Sequence, residues 1–244
     1  MCVASIAWDA HPHWLLVAIG NRDEYHERPS APLAAWDDGS GIIAGRDLRG
    51  GGTWLGVSEA GRFALVTNYR VPEGPQPGRP SRGALVTDLL TGQKPHDTAQ
   101  MNAFNLIFAD AHGASFLSNY PEELALPLNA GIHGLSNGGF ENVWGKTRQL
   151  NAALASWLQD DGQDVGPLLD ALRSETPFPH EGTAEDGPEP SYSPVFIRNP
   201  VYGTRCSTVI TIARSGLGSI IERRFHADGS DAGETALDFR WPHG

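Results

Sequence analysis

Short apolar runs separated by turn-forming residues dominate the chain and predict strands joined into hairpins. Residues 2–8 and 14–21 are apolar on both sides of the turn-like segment 9–13, which predicts a first hairpin. Further strand pairs are predicted at 53–57 with 62–69, at 104–110 with 114–119, and at 208–212 with 219–225. A last short strand is predicted near residues 237–241.

Helical periodicity is confined to three segments. The strongest is 142–159, which carries apolar residues at helical spacing and leaves Lys146 and Arg148 outside the apolar stripe. Shorter helices are predicted at 82–90 and 165–173. Hairpins with helices inserted between them indicate an α+β fold in which helices cover the outer sheet faces.

Two segments rich in proline and glycine, 71–81 and 181–190, are predicted to be surface loops. Loops of this length also serve as lids over binding sites. Both interpretations of the two loops stay open at the level of sequence.

Composition predicts one domain spanning residues 1–244. A chain of 244 residues that is 40% hydrophobic can bury a core without disulfides or structural metal. The net charge of −11 disfavours nucleic-acid and anionic-membrane partners, so a small-molecule substrate or ligand is expected.

The early apolar run 14–20 is too short for a membrane span, and no secretory signal is recognised, which favours a cytoplasmic location. Oligomeric state is left open.

Metal and cofactor signals are weak. The nine histidines include no HExxH or CxxCH spacing, and the two cysteines form no CxxC, so no metal site is predicted and no cofactor is required. A single axial histidine is enough for loose haem binding, which keeps haem as a candidate carried ligand. Two cysteines are weak support for a disulfide, and free thiols are expected.

Cys2 is the first candidate for chemistry. Removal of the initiator methionine is favoured before a small residue, and it would place the Cys2 thiol beside its own α-amine. That amine has a reference pKa of about 7.7–8.0, so one residue can supply both nucleophile and general base. The alternative is a cysteine that merely begins an apolar strand.

The first hairpin brings a polar tetrapeptide towards Cys2. A turn centred near residues 11–12 pairs residues whose numbers sum to 23 or 24, so Cys2 is expected beside Asn21 or Arg22 in the segment Asn-Arg-Asp-Glu at 21–24. A cation next to a thiol lowers its pKa. The alternative is a solvated strand end with a surface ion pair of little energetic weight.

Several ordered motifs resemble one known family. They are MCVASIAW, NRDEYHERPSAPLAAW, AGRDLRGGGTWLGVSEAGRFALVTNYR, SRGALVTDLL, AFNLIFAD, GIHGLSNGGFENVWGKTRQL and YGTRCSTVITI. Together they cover nearly the whole chain and resemble the NRDE family, also called the transport and Golgi organisation protein family. The resemblance implies a four-layer αββα sandwich of antiparallel sheets, similar to N-terminal nucleophile hydrolases such as penicillin V acylase and bile salt hydrolase.

The same resemblance implies a set of site residues. Cys2 matches the nucleophile, and Arg22 and Asp23 resemble a pair that contacts it, although they are adjacent here and the acylases place two residues between them. Asn68 and Asn137 resemble asparagines of the oxyanion region. The remaining candidates are the late active-site arginine Arg205 and, for substrate binding, Asn21, Glu24, Arg70, Arg79 and Arg82.

The leading hypothesis from sequence is a cysteine hydrolase acting on a linear amide, ester or thioester. The main alternative is a non-enzymatic protein on the same scaffold that binds and carries haem, lipid or acyl-CoA, functions to which the family is linked. A third alternative is an interaction protein in which Cys2 serves packing. Whether the chain is an enzyme is left open.

Overall fold

The structure is a computed structural model that describes residues 2–93, 97–140, 143–160, 162–176 and 194–242. Thirteen strands and three α-helices lie within these residues. The strands are β1 Val3–Trp8, β2 Trp14–Tyr25, β3 Ser30–Ala35, β4 Ile42–Asp47, β5 Leu55–Ser58, β6 Arg62–Asn68, β7 Phe104–Asp110, β8 Gly113–Ser118, β9 Leu124–Leu128, β10 Gly131–Leu135, β11 Tyr202–Ala213, β12 Leu217–Phe225 and β13 Asp231–Arg240. The helices are α1 Arg82–Thr91, α2 Gly145–Gln159 and α3 Gly166–Leu172.

The strands form two antiparallel sheets. The first sheet has the strand order β10-β1-β2-β11-β12-β13, and the second has the order β3-β4-β5-β6-β7-β8-β9. The second sheet is a meander in which each strand pairs with its neighbour in sequence. The first sheet combines the two ends of the chain, because β2 pairs with β11 along most of its length.

Three apolar clusters stack the elements into four layers. The cluster between the sheets includes Ile6 from the first sheet and Phe63 from the second. A second cluster joins Val17 of the first sheet to Leu150 of α2, and it also includes α3. The third cluster joins the second sheet to α1 through Leu85. The layer order is therefore helix, sheet, sheet, helix, which confirms the predicted αββα sandwich.

The first hairpin has the predicted register. Val3 pairs with Asn21 and Trp8 with Leu16, so paired numbers sum to 24. The strand was expected to end at residue 21, and this was wrong: β2 continues to Tyr25. The polar segment 21–24 stays extended because β11 supplies backbone partners for it.

Other boundaries differ in places from the predicted ones. Strands β3, β4, β9 and β10 were not predicted; β3 and β9 each contain a proline and form the edges of the second sheet. Segment 71–81 contains no helix or strand, as expected, whereas 181–190 lies outside the described residues. None of the described helices combines the length and apolar character that crossing a membrane requires.

Gly52 marks a close approach between the segment before β5 and the start of α1. A Cβ on Gly52 would lie 2.3 Å from the main-chain oxygen of Gly83 and 2.4 Å from its carbonyl carbon. Both atoms belong to backbone, so relief requires α1 to move. We expect Gly52→Ala to lower the free energy of unfolding by about 3 kcal/mol in urea titrations.

Gly139→Ala is the matched control for that prediction. Its Cβ would meet nothing nearer than the Tyr69 hydroxyl at 3.7 Å. We expect a change of about 0.5 kcal/mol or less. Equal unfolding midpoints for the two variants would contradict the close approach.

Candidate active site

A row of four side chains crosses the first sheet at one end of the inter-sheet core. Extending the β1–β2 register by one residue beyond the Val3–Asn21 pair places Cys2 opposite Arg22. Arg22 pairs with Cys206 on β11. Cys206 in turn pairs with Arg224 on β12. Directly paired residues of antiparallel strands point to the same face. Cys2 and Arg22 therefore share the face of Ala4, which belongs to the cluster between the sheets.

This row lines a cavity of about 500 Å³ between the two sheets. The second sheet and the segments beside it contribute Gly45, Asp47, Trp54, Val66 and Asn68 to the wall. The first residues of α1 and the end of segment 71–81 close another side through Arg79, Ser81 and Arg82. Residues far apart in sequence therefore meet around the Cys2 thiol.

Positive charge is concentrated in this cavity. Eight of the 18 lysines and arginines line it, against four of the 29 acidic side chains. The eight are Arg22, Arg28, Arg46, Arg49, Arg79, Arg82, Arg205 and Arg224; the four are Asp23, Glu24, Asp47 and Glu222. A cationic cavity inside a protein of net charge −11 focuses the field on an anionic ligand.

Arg22 is held beside Cys2 by Asp47. Arg22 is only 8% exposed, and its Nη2 lies 3.2 Å from Asp47 Oδ2 and 3.9 Å from Glu24 Oε2. Its Nη1 is buried and has no hydrogen-bond partner among the described residues. Asp47 therefore holds the guanidinium through Nη2, while Nη1 keeps an N–H donor that no described residue accepts.

Asp47 is the centre of this ion network and was missed from the sequence. Its Oδ2 also accepts a hydrogen bond from Arg28 Nε at 2.7 Å, and its Oδ1 accepts the main-chain N–H groups of Arg49 and Gly50 at 2.9 Å each. Burial opposes its ionisation, but the Gly50 and Arg28 hydrogen bonds outweigh it and lower the carboxyl pKa. The carboxylate therefore stays ionised and orients two arginines.

Burial shifts the Cys2 thiol towards its neutral form, because it raises the pKa. Cys2 is 9% exposed, and burial raises its pKa; the Asp23 charge raises it further, while Arg22 acts in the opposite direction. The effect of Arg22 has the predicted sign, because its charge lowers the pKa of the thiol, but desolvation by burial is larger and sets the net direction. Attack by this thiol requires a base.

Asp23 lies on the cavity wall and is almost fully buried. Its Oδ1 accepts the Thr204 hydroxyl at 2.7 Å, and its main-chain oxygen accepts the Tyr202 hydroxyl at 2.8 Å. Burial raises its pKa, and the charge of Lys146 opposes that rise. Lys146, which the helical pattern left outside the apolar stripe, is 1% exposed and faces inward.

The two asparagines occupy different positions. Asn68 ends β6 on the cavity wall with an exposed side chain. Asn137 is fully buried and is not among the wall residues; its Nδ2 donates to the main-chain oxygen of Asn68 at 2.7 Å. The Asn137 carbonyl accepts the Arg70 N–H at 2.7 Å. Asn137 therefore contacts both Asn68 and Arg70, and neither Asn137 nor Arg70 is a wall residue.

Arg205 lines the cavity at a bulge in β11. The β2–β11 register shifts between Thr204 and Cys206, and this irregularity redirects the side chain between them. Arg205 Nη1 donates to the carbonyls of Tyr25, His26 and Arg28 at 3.0–3.1 Å. Its observed contacts therefore fix the turn that follows β2.

The remaining predicted substrate-binding residues divide into two groups. Glu24, Arg79 and Arg82 line the cavity. Asn21 does not: it points to the opposite face, where its Nδ2 donates to the carbonyls of Leu172 and Val195 at 2.8 and 2.9 Å. The prediction that Asn21 binds substrate overlooked the alternation of a strand, in which residues 21 and 22 face opposite sides of the sheet.

Cys206 and Glu222 were also missed. Cys2 and Cys206 both have free thiols. Because β2 lies between their strands, they are two strand spacings apart, about 10 Å, which is beyond disulfide reach. Burial and the Glu222 charge raise the pKa of Cys206 well above its ordinary value. Glu222 Oε1 accepts the Leu33 N–H at 2.9 Å and lies 3.3 Å from Arg224. The carboxylate joins the two sheets at the far side of the cavity.

The chain matches a described family and several curated relatives. The model of the family "Transport and Golgi organisation 2" matches residues 1–227. The human Transport and Golgi organization protein 2 homolog is 32% identical over 256 residues, covering 91% of this chain and 92% of the human protein. The mouse homologue is 30% identical with the same coverage.

Solved structures show a related fold. The mutant C2A of conjugated bile acid hydrolase from Clostridium perfringens aligns with a TM-score of 0.51 at 7% identity, covering 97% of this chain and 92% of that one. Penicillin V acylase from Agrobacterium tumefaciens aligns with a TM-score of 0.48 at 12% identity, covering 90% and 82%. The αββα fold of this chain is therefore similar to that of the conjugated bile acid hydrolase.

Proposed function

The chain belongs to the Transport and Golgi organisation 2 family, and on its hydrolase-like scaffold we propose that it is a cysteine N-terminal nucleophile hydrolase cleaving a linear amide, ester or thioester. The observation that carries the proposal is the position of Cys2. The thiol lies beside Arg22 on the wall of a cavity large enough for a small molecule.

The α-amine of Cys2 is the base in this mechanism. Removal of Met1 frees the amine, whose reference pKa of about 7.7–8.0 suits proton transfer near neutrality. As the neutral thiol attacks the carbonyl carbon, its proton passes to the amine and a C–S bond forms. The bond to the leaving group then breaks, and the leaving group takes the proton from the ammonium. Water hydrolyses the acyl-thioester and restores the thiol.

The neighbouring groups have distinct roles in the proposal. The Asn68 side chain donates to the oxyanion that develops on the carbonyl, an interaction worth about 3 kcal/mol in comparable sites. Asn137 positions Asn68 through its main chain. Asp23 stabilises the ammonium form of the base, and Arg22 adds positive potential beside the reacting carbonyl. Arg205 positions the turn after β2.

The charge of the cavity supports an anionic group on the substrate. Arg82 lies at the start of α1 on the cavity wall, and no carboxylate is its hydrogen-bond partner among the described residues; its Nη1 donates to the Ala103 carbonyl at 3.0 Å. Charge-assisted hydrogen bonds contribute about 1.5–3 kcal/mol. We expect Arg82→Gln to raise the Kd for inorganic pyrophosphate about 10- to 100-fold in calorimetry.

Arg240→Gln is the control for Arg82→Gln, because Arg240 is exposed on the edge strand β13 and is not a wall residue. It removes the same charge from the protein. Equal weakening by the two variants would mean that net charge, and not the cavity, governs the affinity.

Trapping the acyl-enzyme tests the proposed reaction. The protein is incubated with acyl thioesters of N-acetylcysteamine, quenched in acid and weighed intact. The proposal predicts an adduct of one acyl group that maps to the Cys2 peptide, together with release of the thiol. Absence of both adduct and hydrolysis across amides, esters and thioesters would contradict it.

A carrier function is the second candidate, favoured by the raised pKa of the Cys2 thiol and by the arginine-rich wall. Haem propionates and acyl-CoA phosphates are anions that such a wall can bind. His226 lies on the wall and would be the axial ligand of haem. A Soret shift on haem titration that persists in Cys2→Ala would support the carrier over the hydrolase.

A further inference from the structure

Trp54 is the largest apolar side chain on the cavity wall. It precedes β5, and its main-chain oxygen accepts the Val66 N–H at 2.8 Å, which fixes its backbone against β6. The partly buried indole packs against the cluster between the sheets and also against the α1 cluster. The indole therefore contacts the cavity on one side and these two apolar clusters on the other.

The indole lies directly inward of Cys2 and Arg22. A Cβ on Gly20 would lie 3.1 Å from Trp54 Cη2 and 3.1 Å from the Ala4 Cβ. Gly20 and Ala4 form the paired row next to that of Arg22 and Cys2, one step deeper between the sheets. The missing side chain at Gly20 leaves the space that the ring occupies.

Two kinds of wall therefore meet at the nucleophile. The Trp54 ring joins the cavity wall to the core between the sheets, and eight arginines are among the other lining residues. An acyl group bound to the Cys2 sulfur extends towards apolar surface, and a charged leaving group is stabilised among the arginines.

We infer that Trp54 forms the closed end of the acyl subsite and restricts the hydrolase to short acyl groups. The inference rests on the proposed function, since it assigns the two parts of the substrate relative to Cys2. Trp54 is a specificity-determining residue in this account and takes no part in proton or acyl transfer.

Chain-length profiles test the inference. We measure kcat/KM for acetyl, butyryl, hexanoyl, octanoyl and decanoyl thioesters of N-acetylcysteamine. The wild type should prefer acetyl and butyryl. A methylene in an apolar pocket changes kcat/KM by about 10-fold or more. Trp54→Ala should therefore raise the octanoyl-to-butyryl ratio at least about 10-fold, and Trp54→Leu should raise it less. An unchanged ratio in both variants would overturn the inference.

Trp14→Ala is the matched control, because Trp14 is absent from the wall. Its ring packs against the cluster that joins the first sheet to α2 and α3, with its centroid 5.8 Å from that of Trp157. This variant should keep the wild-type profile. If circular dichroism shows that Trp54→Ala does not fold, Trp54→Phe replaces it in the test. Trp54→Phe should also raise the octanoyl-to-butyryl ratio of kcat/KM.

Binding separates failure of the subsite from failure of the hydrolase. If the wild type cleaves no thioester, the proposed function fails, and the subsite is tested with butyrate and octanoate by calorimetry. Stronger octanoate binding in Trp54→Ala than in wild type would support the subsite without catalysis. The same octanoate affinity in both proteins would overturn it.

Discussion

Replacing Cys2 with alanine is expected to lower kcat/KM by about 10³-fold or more, because loss of a nucleophile removes the covalent route and leaves only binding and oxyanion stabilisation. Cys2→Ser should also lose most activity, since a hydroxyl is a weaker nucleophile at neutral pH. Thermal unfolding should be nearly unchanged in both, because the side chain is small and precedes β1.

Cys206→Ala is the control for Cys2→Ala. It removes a thiol from the other side of Arg22, in the same row of the first sheet. Its activity should stay within about threefold of wild type, well inside the roughly tenfold change that 1.4 kcal/mol produces. Full activity in Cys2→Ala, or equal losses in both variants, would contradict the assignment of the nucleophile.

Removing the Asp47 carboxylate is expected to lower the stability of the fold substantially. Asp47→Ala leaves Arg22 and Arg28 close together without their shared counter-ion, and it removes two hydrogen bonds to main-chain N–H groups. Breaking a buried pair costs about 3–5 kcal/mol. Because Asp47 is partly exposed, we expect about 2–4 kcal/mol, which lowers Tm by roughly 5–15 °C.

The pH dependence of that loss has a definite sign. The folded-state pKa of Asp47 is lowered, so its contribution is complete above the unfolded value of about 3.9 and is lost as pH falls through the folded pKa. The Tm difference between wild type and Asp47→Ala should therefore be constant near neutrality and shrink below about pH 4. Asp38→Ala, which breaks an exposed pair with Arg46, is the control and should barely change Tm. A difference that grows in acid would contradict the network.

The local part of the fold could be predicted from the sequence. The register of the first hairpin follows from the position of its turn, and the periodicity of 142–159 locates α2 to within a few residues at its start. Both depend on neighbours in sequence. The continuation of β2 through Tyr25 does not, because its partner strand begins at Tyr202.

The candidate site shows the same limit. The hairpin arithmetic brings Cys2 to Arg22 without any tertiary information. The salt bridge between Arg22 and Asp47 depends on how two sheets stack, and no spacing rule reveals it. Lys146 follows the pattern of a surface lysine but is buried, because the start of α2 packs against the end of the first sheet.

Net charge was an incomplete guide to the ligand. The total of −11 disfavours nucleic acid, yet the cavity gathers eight arginines against four carboxylates. At physiological ionic strength, surface charges are screened over a Debye length of about 8 Å. A ligand inside the cavity therefore responds more strongly to the potential of the cavity than to the surface charge. With an acidic total charge and an arginine-lined cavity, we expect a small anion and not a polyanion as the ligand.

The account depends on Cys2 being the terminal residue and a reactive thiol. Intact mass after brief exposure to iodoacetamide at neutral pH, followed by mapping of the adduct, measures both properties in one sample. The account predicts loss of Met1 and labelling of Cys2 well before Cys206, which is buried beside the Glu222 carboxylate. Retention of Met1, or labelling of Cys206 ahead of Cys2, would contradict it.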